Sequence, residues 1–209
     1  AFNRARAHAF TEKYIDFRPD DDARSCVSDW CDQLLEAIAN YVDWSLMDSI
    51  FVIGAGVGTE VSTVWRRFGR HVVLSEVSSE LLRNCSNSAP EATLRKGFAE
   101  DLSEIDDETV GFYCALRTYE SMFFNKAMAA SEAYRVLMPG GSIAISISCG
   151  YNSSGKLVKG RLVGEDTFDI AGGIGDLVEV ANELERLGFV KFRLVFLRSE
   201  WVLLARKIS

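Results

Sequence analysis

Ser49-Ile50-Phe51-Val52-Ile53-Gly54-Ala55-Gly56-Val57-Gly58-Thr59-Glu60 is the stretch from which the rest of the chain can be read. Four consecutive apolar residues run into a glycine-rich turn, the pattern of a short strand buried on both faces with a helix opening behind it. Glycine suits such a turn because the backbone bends tightly, φ is free to be positive, and a ligand can approach without a Cβ in its way. A second apolar run, Val72-Val73-Leu74-Ser75, ends at Glu76, 22 residues after Gly54. A carboxylate at the tip of the neighbouring strand can accept hydrogen bonds from both hydroxyls of a ribose. Together the two runs describe a nucleoside-binding crevice.

The glycine spacing narrows the nucleoside. A dinucleotide fingerprint calls for glycines at 54, 56 and 59, so that the helix N-terminus meets a pyrophosphate. Here position 59 is Thr59 and the third glycine comes one place early, at Gly58. Gly54-x-Gly56-x-Gly58 resembles motif I of the class I S-adenosylmethionine-dependent methyltransferases, in which the loop lies against the amino-acid end of the cofactor.

Two further segments carry the resemblance. Glu132-Ala133-Tyr134-Arg135-Val136-Leu137-Met138-Pro139-Gly140-Gly141 is similar to the segment before strand five of small-molecule, type 11-like methyltransferases. Lys96-Gly97-Phe98-Ala99-Glu100-Asp101-Leu102 resembles the family's loop after strand three, which contacts the adenine. The chain departs from the family at two places. Phe98 stands where an aspartate usually precedes the Ala-Glu pair, so an aromatic ring either stacks on the base or belongs to the core. Phe112 stands where an aspartate is common near the start of strand four, a change read as packing.

The elements in order predict an α/β fold: a Rossmann-like, seven-stranded, mostly parallel sheet with an antiparallel C-terminal hairpin and helices on both faces. Trp30, Leu34, Leu35, Ile38 and Tyr41 share one helical face, and Val61, Val64, Trp65 and Phe68 share another, closed by Gly69. Ser78 is a plausible N-cap for a helix through Leu81, Leu82 and Cys85. Strands are expected at 92–96 and 110–116, and a helix from Asn125 to Leu137, stopped by Pro139, turns into a strand at 142–147. Asp176 caps a last helix with Leu177, Val180, Ala181, Leu184 and Leu187 on one face, closed by Gly188. Runs at 189–197 and 201–206 are close enough in sequence to be antiparallel neighbours. The expected organisation is a single methyltransferase domain over 1–209: an N-terminal helical cap or lid (1–46), a cofactor-binding core (47–148), an irregular substrate-loop segment (149–174) and a helix with a terminal hairpin (175–209).

Composition excludes other classes. With 23 basic and 30 acidic residues the chain carries a net charge of −7, which argues against broad electrostatic binding to nucleic acid or an anionic membrane. Arg66, Arg67 and Arg70 form the one local basic cluster. No apolar run approaches the roughly 18 residues of a membrane span and no signal peptide is evident, so a soluble, cytoplasmic protein is expected. Cysteines at 26, 31, 85, 114 and 149 show no C-x-x-C spacing and read as reduced core thiols. His8 and His71 have no neighbours spaced as zinc ligands, so no metal is expected.

The resemblance implies S-adenosyl-L-methionine as cofactor and S-adenosyl-L-homocysteine as product. The residues it assigns to the cofactor are Gly54, Ala55, Gly56, Gly58, Glu76, Val77, Phe98, Ala99, Glu100 and Leu116, with Tyr14 as a cover. The acceptor pocket is expected beyond the ends of strands four and five, at Leu116-Arg117-Thr118-Tyr119-Glu120-Ser121 and the loop Cys149–Gly164, where Tyr151 is a position-based candidate. Arg117 either clamps a carboxylate or phosphate on the substrate or is an exposed arginine or one bonding a helix end. Tyr119 and Glu120 either orient and deprotonate the nucleophile or are structural. An Asn/Asp-Pro-Pro-Tyr/Phe signature for DNA bases or protein glutamine is missing; the matching place reads Leu116-Arg117-Thr118-Tyr119. The function expected is methyl transfer to an O or N nucleophile of a small metabolite. The alternatives are a catalytically silent methyltransferase-like partner subunit and, disfavoured by glycine spacing, an NAD(P)-dependent oxidoreductase.

Overall fold

A computed structural model describes residues 32–44, 48–54, 71–76, 79–90, 92–120, 125–148, 159–161, 167–169, 174–197 and 200–209. Strands β1 (Ser49–Ile53), β2 (His71–Glu76), β3 (Thr93–Lys96), β4 (Val110–Leu116), β5 (Leu137–Ser148), β8 (Phe189–Leu197) and β9 (Glu200–Lys207) form one sheet. Its order is β3-β2-β1-β4-β5-β9-β8. The first five strands pair in parallel, and β9 runs antiparallel to both β5 and β8. Strand order therefore reverses between β1 and β4, which is where open α/β sheets bind ligands, at the carboxyl ends.

Alternation along the strands explains why the sheet is covered twice. Phe51, Ile53, Tyr113, Ala115, Ile143, Ile145 and Ile147 turn to one face, where they pack with α3 (Lys126–Val136) and α4 (Ile174–Leu187). Ile50, Val52, Val72, Leu74, Phe112, Cys114 and Ala144 turn to the other, against Leu34, Leu35 and Ile38 of α1 (residues 32–39) and Cys85 of α2 (Ser79–Ser88). Every residue of β4 is buried, as a central strand requires. Phe112 belongs to this core and meets Trp44 edge-on, with ring centroids 5.3 Å apart.

Four details differ from the sequence reading. Tyr41 is exposed, with Arg193 stacked over its ring, because α1 ends before it. The helix expected to start at Asp176 begins at Ile174, and it does end at Gly188, whose φ of +103° suits glycine. The segment 149–174 is not wholly irregular, since β6 (Lys159–Arg161) and β7 (Thr167–Asp169) pair in an antiparallel ribbon. Strand β5 starts at once after α3, and the register between Val110 and Phe112 absorbs the Met138–Gly141 turn as a bulge. The helix expected over 61–68 lies outside the described residues, and among these no helix is long and apolar enough to cross a membrane.

Candidate functional site

The carboxyl ends of β1, β2 and β4 bring Gly54, Glu76 and Leu116 to one edge of the sheet. Gly54 has φ +68°, a left-handed conformation that costs an L side chain about 1–2 kcal/mol. A second constraint comes from across the reversal point. A Cβ on Gly54 would overlap the Thr118 hydroxyl and lie 2.8 Å from its Cγ2. That hydroxyl donates to the Ile53 carbonyl at 2.9 Å, so the second residue after β4 fastens the end of β1. In the sequence Thr118 has no role of its own beyond its place in the acceptor stretch 116–121. Its bond spans 65 residues, and no local pattern marks it.

Glu76 is 6 % exposed, a carboxylate held at the tip of β2. Its backbone carbonyl accepts from the Gly97 amide at 3.2 Å, and the Ser75 hydroxyl donates to the Gly97 carbonyl at 3.1 Å. The loop after β3 is thereby tied to the end of β2. Phe98 is half-buried and bridges to Asp101; Ala99 and Leu116 are buried. Phe98 also lines a cleft of about 180 Å³ with Phe51, Ser75, Arg95, Leu102 and Ile105. That cleft lies under the loop, and its volume is below the range of small-molecule sites.

Glu100, which the resemblance assigns to the cofactor, also has a partner within the fold. It is buried, and its Oε1 accepts from the Asn125 amide at 2.9 Å, at the start of α3. Asn125 in turn caps the helix by accepting from the Met128 amide at 3.1 Å. The carboxylate thus sits at a helix N-terminus, where negative charge is favourable.

The same loop is gripped from the other end of α3. Glu132 accepts from the Leu102 amide at 2.7 Å, while Arg135 donates to the Leu102 and Ile105 carbonyls at 2.7 and 2.8 Å. Arg135 also pairs with Glu132 and Asp107. Bonding to Arg135 holds the Glu132 carboxyl below the usual carboxylate range. Two residues of the Glu132–Gly141 segment therefore set where the loop after β3 lies.

Arg117, expected to clamp a substrate anion, to be exposed or to bond a helix end, bonds Glu200. Its Nε donates to Glu200 Oε1 at 2.9 Å, and its Nη2 reaches the same oxygen. Tyr119 is fully buried, its hydroxyl 3.3 Å from that of Tyr113. Burial pushes both phenols well above the ordinary tyrosine range. Glu120 closes a 3-10 turn over Thr118–Glu120. Tyr14, Ala55, Gly56, Gly58, Val77 and Tyr151 lie outside the described residues.

Comparison with known proteins agrees with this geometry. A family model described as "Methyltransferase domain" matches residues 51–145. A methyltransferase of Thermotoga maritima described as a possible histamine N-methyltransferase shares the fold at a TM-score of 0.68 and 16 % identity, over 95 % of this chain and 99 % of that one. An S-adenosylmethionine-dependent methyltransferase of Methanosarcina mazei superposes at 0.62 with 20 % identity, over 82 % and 97 %. Human N-acetylserotonin methyltransferase in complex with S-adenosylmethionine gives 0.58 and 14 %, over 83 % and 51 %. No curated protein matches the chain in sequence.

The chain has the fold of S-adenosylmethionine-dependent methyltransferases, and its residues 51–145 match the methyltransferase domain. Of the solved relatives named above, the Methanosarcina mazei protein is described as S-adenosylmethionine-dependent and the human enzyme holds S-adenosylmethionine. A buried carboxylate at the tip of β2 near Gly54, whose φ is left-handed, suits a nucleoside.

Proposed function

We propose that the protein transfers the methyl group to an O or N nucleophile of a small molecule by in-line displacement. The observation that carries this reading is the placement of Gly54, Glu76 and Leu116 at the carboxyl ends of the adjacent strands β1, β2 and β4, two of which flank the reversal point of the sheet. When bound, S-adenosylmethionine supplies a methyl carbon that is already electrophilic. The chain's part is then to hold and align. Glu76 accepts the ribose hydroxyls, the Gly54 turn lets the backbone approach, and Phe98 and Leu116 offer apolar surface to the adenine. Alignment at near-attack distance is a large catalytic contribution in its own right, so a strong base is not demanded.

Three facts support a small acceptor. The chain is acidic overall, which disfavours a polyanionic substrate. Residues 116–119 do not spell the signature of enzymes acting on DNA bases or protein glutamine. Two of the structural relatives are named for small acceptors, histamine and N-acetylserotonin.

The test is transfer of labelled methyl from S-adenosylmethionine to three separate pools: small amines, phenols and alcohols; RNA; and protein. Label in the small-molecule pool alone is expected. Label confined to a macromolecular pool would refute the acceptor class. No label in any pool, with S-adenosylhomocysteine still bound, would favour a non-catalytic binding role, which the burial of Tyr119 and the pairing of Arg117 make worth testing.

A further inference from the structure

Two features at the end of β4 cost the fold stability, and both belong to one contact. Arg117 is not glycine, yet it has φ +58°, a conformation kept only when its surroundings impose it. Glu200, its partner at the start of β9, is fully buried, and only Oε1 is bonded; among the described residues Oε2 has no hydrogen-bond partner. Burial dominates the Glu200 carboxyl and pushes it above the usual carboxylate range, against the pull of Arg117 and the Ser146 hydroxyl. Arg117 is itself 45 % exposed, so one half-exposed guanidinium offsets only part of the cost of burying the Glu200 carboxyl, and the carboxylate is poorly explained as a device for stability.

Its geometry offers another explanation. The Arg117 amide donates to the carbonyl and hydroxyl oxygens of Ser146 on β5, at 3.0 and 3.1 Å. With both its backbone and its guanidinium fixed, Arg117 directs the next residue, Thr118, onto the Ile53 carbonyl and against Gly54. A chain of direct contacts therefore runs from the terminal hairpin through Arg117 and Thr118 to the glycine turn. Glu200 and Thr118 are 82 positions apart in sequence and act through one neighbour.

We infer that Glu200 and Arg117 are positioning residues for cofactor binding, with ionised Glu200 holding Arg117 in its left-handed conformation so that Thr118 keeps the Gly54 turn in its binding geometry. The inference rests on the reading that this crevice holds the cofactor. Among the described residues the groups facing Glu200 are Arg117, from the end of β4, and the Ser146 hydroxyl, from β5; Arg117 stays charged at any working pH. Protonation of Glu200 on acidification removes the charged partner from Arg117, so affinity should fall as pH drops through the raised Glu200 pKa. The folded protein gains stability over the same window, because a raised carboxyl pKa means that the folded state binds the proton more tightly.

The test titrates S-adenosylhomocysteine into wild type, Glu200→Gln, Arg117→Gly and the double variant, from mildly acidic to mildly alkaline pH, with urea unfolding of each. Both single variants should bind about tenfold more weakly at neutral pH, the size of a lost charge-assisted contact. Glu200→Gln should unfold no more easily than wild type and should lose the part of the acid dependence that wild type shows. The double variant should be no weaker than the worse single, as expected for one chain of contacts. Wild-type affinity in Glu200→Gln with an unchanged pH profile would overturn the inference, as would weakening matched by an equal loss of stability. Failure of wild type itself to bind would instead indict the cofactor reading.

Discussion

Substituting Gly54 by alanine introduces two separable costs. The left-handed φ of +68° costs about 1–2 kcal/mol for any L residue. Overlap with Thr118, whose Cγ2 and Cβ would lie 2.8 and 3.1 Å from the new methyl, adds about 1–3 kcal/mol of overpacking. Gly54→Ala should therefore destabilise by about 2–5 kcal/mol. Thr118→Ala alone loses the bond to the Ile53 carbonyl, worth about 0.5–1.5 kcal/mol. In the double variant the hydroxyl and Cγ2 are gone, so most of the overlap goes with them while the φ cost stays. A urea double-mutant cycle should therefore show favourable coupling of about 1–3 kcal/mol, bounded by the overpacking term. S-adenosylhomocysteine affinity should remain impaired in the double variant because the turn is still strained. Additivity within about 0.5 kcal/mol would show that Thr118 does not press on Gly54, and the argument for the contact would fail.

Other outcomes follow from the remaining contacts. Glu76→Ala should weaken S-adenosylhomocysteine by about 1.5–3 kcal/mol, read by calorimetric titration. Glu132→Ala strips the Leu102 amide and Arg135 of a partner and should destabilise by about 1–3 kcal/mol in urea. Because the Glu132 carboxyl is held low, its stabilisation is present above the ordinary carboxylate range and lost as pH falls through the lowered value, so Glu132→Gln should flatten the acid limb of stability. Tyr119→Phe should destabilise by about 1–3 kcal/mol yet leave the alkaline limb of kcat unchanged, since a phenol held this high is not titrating there.

The features that were legible in the sequence are those set by near neighbours. A run of apolar residues ending in Gly54, and another ending in Glu76, specify buried strands and the residues at their tips, so the parallel sheet and its reversal point follow. The terminal hairpin was legible for the same reason, two β runs with too short a link to cross over. Side-chain roles that depend on distant partners were not. Glu100 occupies a cofactor-loop position in sequence but bonds Asn125, and Arg117 looks like a substrate clamp until Glu200, 83 residues on, takes its guanidinium. Tyr119 illustrates the limit of polarity as a guide: its hydroxyl finds Tyr113 within the core, so a titratable side chain is buried without reaching solvent. Glu132 and Arg135 were quoted as part of a resemblance, yet their work, gripping the loop at 102–107, needs a fold that brings residues about 30 positions apart together.

Calorimetric titration of the wild-type protein with S-adenosylhomocysteine, with NAD as the control ligand, bears directly on the crevice at Gly54 and Glu76. Saturable heat with S-adenosylhomocysteine and none with NAD is the expected result. Binding of NAD in its place, or of neither ligand, would contradict the reading of this edge of the sheet as a methyltransferase cofactor site.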